Sequence, residues 1–131
     1  MVEQDESAHG SPELIYKIID ADAWSKAEAA GVFHGASIDL TDGYIHFSTA
    51  AQVADTAQRH FANIGNLLLV SVDTKALGDK LVYEEARGGA LFPHLYEPLK
   101  MSHVERVNPM PLGDDGMHKI PALDGSGPAG D

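Results

Sequence analysis

The chain is predicted to be a single α+β domain, a mixed sheet carrying two main helices. Three observations predict it. Leu67-Leu68-Leu69-Val70-Ser71-Val72 is a near-continuous apolar run, the mark of a strand covered on both faces. Tyr44 to Ser48 alternates, with Ile45 and Phe47 on one side of a strand and Tyr44, His46 and Ser48 on the other. Two further stretches carry helix start and stop signals, around Asp22–Gly31 and Thr49–Gly65. With 131 residues, 44% of them hydrophobic, the chain has enough apolar surface for one core.

Taken in order, residues 1–13 are polar and acidic, with Gly10 and Pro12, and are expected to form a disordered leader. Leu14 to Ile19 is short and mostly apolar and opens the domain as a strand. Asp22 caps a helix over Ala23–Ala30, in which Trp24, Ala27 and Gly31 share a face and Gly31 supplies the stop. Val32 to Thr41 is expected to be a loop, and Asp42-Gly43 a tight turn into the Tyr44–Ser48 strand. Thr49 and Gln52 have capping-box spacing, so a helix follows at once. Its buried stripe is Ala50, Val53, Ala54, Ala57 and Phe61, and Asn63 and Gly65 end it.

After the Leu67–Val72 strand, Asp73 to Lys80 reads as a turn region with one helical turn, and Leu81 to Glu84 as another strand. Arg87-Gly88-Gly89 connects it to an extended Leu91–Tyr96. Pro93 assigns that segment to an edge or a loop. Met101 to Val107 is the last strand, and the domain is bounded at 14–107. Residues 108–131 are rich in proline and glycine and are expected to be irregular, fading into disorder, although Ile120 and Leu123 are apolar enough to dock. Most core contacts are assigned to Trp24, Ile45, Phe47, Val53, Ala57, Phe61, Leu68, Val70 and Leu81.

Charge narrows the partners. Twenty acidic side chains oppose nine basic ones, a net charge of −11, so the basic patch needed to displace counterions from nucleic acid is missing. An anionic membrane surface is disfavoured for the same reason. No apolar run approaches the length of a membrane span, and no basic residue precedes Lys17, so a secretory signal is not expected. There are no cysteines, which rules out disulfides and cysteine catalysis and fits a cytoplasmic protein. The composition sets no oligomeric state.

The chemistry-bearing residues fall in three places. His46 and Ser48 share a strand face just before a helix start, where free N–H groups and a positive dipole end suit a small anion. His46 is then the general acid–base, with Ser48 and Thr49 holding the anion. The same pattern also fits a satisfied, half-buried histidine beside a capping serine. Phe92-Pro93-His94-Leu95-Tyr96 sets His94 and Tyr96 on one face, suited to a pocket wall or simply to a rigid edge. Glu84 or Glu85 orients a histidine or a hydroxyl, and surface charge explains at least one of them. No histidine pair has zinc-motif spacing, no Gly-x-Ser-x-Gly elbow surrounds Ser48 and no phosphate-binding glycine loop occurs, so no metal is assigned.

The combination of Ile15-Tyr16-Lys17-Ile18, Trp24, His34-Gly35, Asp39, Asp42 to Thr49, Gln52, His60-Phe61 and Phe92 to Tyr96 resembles a small bacterial family, family 952 of the domains of unknown function. The resemblance covers Leu14 to Val107. That family is in turn remotely similar to ADP-ribosyltransferase-like folds, which include toxin-type transferases and RNA 2′-phosphotransferases. In those folds a His or Arg on the first strand, a Ser, Thr or His on the second and a late Glu surround nicotinamide adenine dinucleotide.

The resemblance therefore implies an ADP-ribosyltransferase-like fold and a pocket for NAD or an ADP-ribose-like anion, with transferase activity. His46, His94 and Glu84 are its catalytic candidates; Lys17, His34, Ser48, Thr49 and Tyr96 are its ligand-binding candidates. The chain departs from the pattern at the first strand, where Tyr16-Lys17 stands in place of His or Arg, and it has few arginines. A non-catalytic module for a small ligand or a protein partner is the alternative. An enzyme requires His46, His94 and one Glu around a single cleft, whereas a binding module needs only the anion cradle.

Overall fold

Leu67–Asp73 (β4) is the centre of the first sheet, as its apolar run predicts. In the computed structural model, which describes residues 13–121 and 123, it lies between Leu14–Asp20 (β1) and Val104–Pro109 (β8), antiparallel to both. Both faces are covered. Ile15, Ile19, Val70 and Val72 pack with Trp24 of the helix Ala21–Ala30 (α1). Leu14, Tyr16, Ile18, Leu67 and Leu69 pack with Val53 and Ala57 of the helix Val53–Phe61 (α3). Each fully buried aliphatic side chain contributes about 1.5–3 kcal/mol, so the two-sided strands hold much of the fold's stability.

The class is α+β, but the sheet differs from the one mixed sheet expected. Every strand pairing among the described residues is antiparallel, and the strands divide into three small sheets. The second sheet pairs Val32–Phe33 (β2) with Leu99–Lys100 (β7). The third has Leu91–Leu95 (β6) between Ile45–His46 (β3) and Leu81–Glu85 (β5). First and third sheets are stitched together by the Tyr16–Ser48 bridge, whose two N–H···O bonds are both 2.8 Å.

Pro93 is therefore in a central strand, contrary to the edge or loop assigned to it. Its place in the ladder explains this. Proline has no N–H to give, and its carbonyl accepts from Phe47 N–H at 3.0 Å just beyond the end of the two-residue β3. The missing donor thus falls where the ladder stops.

Several local expectations are corrected. Asp20, not Asp22, caps α1, accepting from Ala23 N–H at 2.9 Å, while Gly31 ends it in the left-handed conformation as predicted. The expected loop Val32–Thr41 contains β2 and a six-residue helix, Ser37–Asp42 (α2). This helix hides from pattern reading because its polarity is inverted: Ile38 and Leu40 are exposed and Asp39 is buried. Gly43 is its left-handed stop, not a hairpin turn. Gln52 does accept from Thr49 N–H at 3.0 Å, half of a capping box, but a turn intervenes and α3 begins only at Val53. Ala50 and Ala54 are exposed, so the buried stripe is narrower than expected.

Ordered structure also runs past Val107. β8 extends to Pro109, Met110 is fully buried in the core beneath α3, and Ile120 and Leu123 pack against that core. Residues 1–12, 122 and 124–131 lie outside the described residues, and with them most of the expected leader and the end of the tail. Among the described residues no helix is long and apolar enough to cross a membrane.

Candidate functional site

The site is built from the short third sheet and the inverted helix beside it. β3 and β6 place His46 directly opposite His94. Alternation buries Ile45 and Phe47 in the α1-side core and turns His46 and Ser48 to the other face. There a cavity of about 440 Å³ is lined by both histidines, Lys17 and Ser48, with Ile18, Phe61 and Phe92 among its apolar walls. The flank and C-terminal end of α3 close it through Thr56, His60 and Phe61. The helix start after Thr49, expected to hold an anion, contributes no lining residue before Thr56, because the helix begins only at Val53 and presents its side.

Each histidine is backed by a carboxylate. His46 Nδ1 lies 2.6 Å from Asp39 Oδ1, and its Nε2 lies 2.9 Å from Asp42 Oδ2. His94 Nδ1 lies 2.7 Å from Glu84 Oε1, which also accepts from the Tyr96 hydroxyl at 2.7 Å. The two imidazole centroids are 5.4 Å apart. Tyr44 stacks on His94 at 4.2 Å and contacts the rings of His46 and Tyr96 at 4.7 and 5.1 Å. A carboxylate on Nδ1 fixes the orientation of each ring; at His46 the second nitrogen, Nε2, meets the Asp42 carboxylate as well.

Asp39 is the hub. Its buried carboxylate meets Lys17 Nζ at 2.9 Å, accepts Ala36 N–H at 2.7 Å and His46 N–H at 3.1 Å, and holds the His46 ring. Burial pushes its carboxyl up. The His46 hydrogen bond, the Lys17 charge and the Ala36 N–H outweigh that and hold it at about 2. Burial drives Lys17 the other way, below its usual value, against the raising pull of Asp39. Hydrogen bonds from Tyr96 and then His94 keep Glu84 below the usual carboxylate range, and the Glu84 bond pushes the Tyr96 hydroxyl up to about 12. Burial, with the charges of Asp42 and Glu84, also raises Tyr44.

A glycine makes room for the hub. Gly35 has φ +126°, and a Cβ there would come within 2.8 Å of Asp39 Cβ. Gly35→Ala is expected to destabilise the protein by about 1–3 kcal/mol through that overlap and the backbone strain. Urea unfolding measures it, and a change under about 0.5 kcal/mol would mean that Asp39 moves aside freely.

The structure brings Lys17, His46, Ser48 and His94 to one cavity, with Glu84 behind His94. It turns Glu84 onto His94 and leaves its neighbour Glu85 exposed. His34 does not line that cavity: with Asp39, Tyr44, Tyr96 and Glu97 it lines a second one of about 290 Å³. Thr49 lines neither cavity. Ser48 Oγ lies 3.0 Å from Thr56 Oγ1 and so is tied to α3. Asp39 stands in the sequence only as part of the family pattern and Asp42 as a turn signal, so neither is marked for the site by local pattern. Tyr44 carried a signal that was there to use, the period-two face it shares with His46. Among the described residues no group of three or more His, Cys, Asp or Glu converges as a metal site would.

These features define a class: a small single-domain α+β protein of short antiparallel sheets, with two carboxylate-backed histidines on one cavity. The chain belongs to the DUF952 family, proteins of unknown function, whose pattern matches residues 18–107. It is similar to protein CC0527 from Caulobacter crescentus, whose crystal structure is 44% identical over 81% of this chain and 93% of that one, with a TM-score of 0.78. The solution NMR structure of CC0527 matches at 45% identity over 79% and 90% of the two chains, with a TM-score of 0.73. No curated protein matches the chain significantly.

Proposed function

We propose that the cavity binds a nucleotide-like or ADP-ribose-like molecule and that His46 and His94 serve as an acid–base pair in group transfer from it. One ring takes the proton of an attacking hydroxyl as its oxygen bonds to the transferred group. The other ring gives a proton to the leaving group as the old bond breaks, so proton count is conserved. The apolar and aromatic walls suit a flat base, and Ser48 offers a hydroxyl beside the histidines.

The observation that carries this reading is the pairing itself: two imidazoles in one cavity, each oriented through Nδ1 by a carboxylate of another element. A purely binding role rested on an anion cradle at the helix start. No residue from Thr49 to Asp55 lines the cavity, which favours the acid–base reading.

The test is a thermal-shift panel of ADP-ribose, NAD and mononucleotides, followed by turnover assays on any binder. At a hundred times its Kd a true ligand adds about 2.7 kcal/mol of stability. His94→Gln and His46→Ala are expected to stay folded and to lose about 10²–10⁴-fold in turnover. A panel without a binder, or variants with undiminished turnover, ends the proposal. A His46→Ala protein that unfolds also ends it, because His46 would then be a core histidine.

A further inference from the structure

The second cavity shares no lining residue with the first, and no step of the proposed proton transfer uses it. Its chemistry is different. Two tyrosines line it, Tyr44 and Tyr96, with ring centroids 5.1 Å apart and planes tilted by 40°, an open corner and not a closed stack. Tyr44 is held by its stack on His94, at 4.2 Å. Tyr96 is held at both ends: its N–H donates to the Lys80 carbonyl at 2.9 Å and its hydroxyl to Glu84 at 2.7 Å. Both rings are therefore in place before any ligand arrives. Donation to a carboxylate also enriches the Tyr96 ring in electron density, and it is the negative face of such a ring that attracts cations.

The charge at this cavity has the matching sign. Glu97 and Asp39 line it, and among the described residues no lysine or arginine does; His34 is its basic side chain. Lys17 neutralises Asp39. Glu97 is half-buried and has no hydrogen bond or ion pair among the described residues, so its charge is available to a ligand. A bare metal ion is a poor match, because among the described residues no group of three or more His, Cys, Asp or Glu converges as ligands would. Aromatic rings beside one unpaired carboxylate suit a charged nitrogen clothed in methyl or methylene groups. We propose that the second cavity binds a small organic cation, a quaternary or substituted ammonium, beside the rings of Tyr44 and Tyr96 with Glu97 as its counter-charge. At about 290 Å³ the cavity lies at the small end of ligand pockets, which limits the cation to roughly the size of choline. The site does not depend on the nucleotide reading and stands even if the first cavity binds nothing.

Choline is the probe, titrated into the full chain at fixed ionic strength while the Tyr44 and Tyr96 ring resonances are followed by NMR. Neohexanol, its neutral isostere with carbon in place of the charged nitrogen, is the comparison. Choline is expected to shift both rings saturably and to bind at least about fivefold more tightly than the alcohol. Glu97→Gln is expected to weaken choline about three- to fivefold, the scale of one exposed ion pair. Tyr96→Ala is expected to weaken it about five- to tenfold, and Tyr96→Phe, which keeps the ring, by no more than about twofold. Asp22→Asn removes a charge from the first turn of α1, which lines neither cavity, and is expected to leave binding unchanged. The inference is overturned if the alcohol binds as well as choline, if Glu97→Gln has no effect or Asp22→Asn an equal one, if Tyr96→Phe costs as much as Tyr96→Ala, or if the rings never respond.

Discussion

Replacing Asp39 by alanine is expected to remove about 3–5 kcal/mol of stability, the cost of breaking a buried ion pair from one side. Lys17 would remain with its side chain 8% exposed and no counter-charge at 2.9 Å. The N–H groups of Ala36 and His46 would lose their acceptor as well. Against a total of about 5–15 kcal/mol for an ordinary domain, that loss is severe. Denaturant unfolding measures it. The double variant Lys17→Met, Asp39→Ala is expected to recover much of the loss, because no charge is then stranded. A single variant within about 1 kcal/mol of the wild type would show that water reaches Lys17 and that the pair is not a buried hub.

The same carboxylate predicts a pH dependence. Its folded value, about 2, lies below its unfolded value near 3.8. The folded state therefore binds fewer protons between those values, and stability falls as pH falls. The contribution, about 2 kcal/mol, is full above roughly pH 4 and is lost toward pH 2. Asp39→Ala should lack that part of the acid limb.

The second large effect concerns the far end of the fold. A chain ended after Val107 is expected to be insoluble or largely unfolded, whereas one ended after Leu123 keeps the described core. Ending at Val107 removes the pairings of Asn108 with Leu69 and of Pro109 with Leu68. It also removes Met110, which is fully buried and donates its N–H to the Leu67 carbonyl at 3.0 Å. Met110→Ala alone is expected to cost about 2–5 kcal/mol from the cavity it leaves. Circular dichroism and thermal melts of the three proteins decide the matter. A stable chain ended at Val107 would mean that α3 closes over its own core without Met110.

The Leu67–Val72 strand, the alternation around His46, the Gly31 stop and the shared face of His94 and Tyr96 all follow from local rules. Pleat alternation and helix termination depend on a residue and its near neighbours, so sequence carries them. The two histidines were legible as candidates for that reason. Met110 and α2 were not: a lone methionine among prolines and glycines has no period, and α2 inverts the usual one.

By itself, then, the sequence determined the α+β class, the main strands and helices, and which faces His46 and His94 occupy. Tertiary structure alone decided what stands behind those rings. Asp39 reaches Lys17 across 22 positions of sequence and His46 across seven, and Glu84 reaches His94 across ten. It also decided that Pro93 can sit mid-sheet, because its missing N–H coincides with the end of β3. Such matters depend on strand register and on where a short helix docks. Those are set by burying two cores at once, and no local pattern encodes that sum.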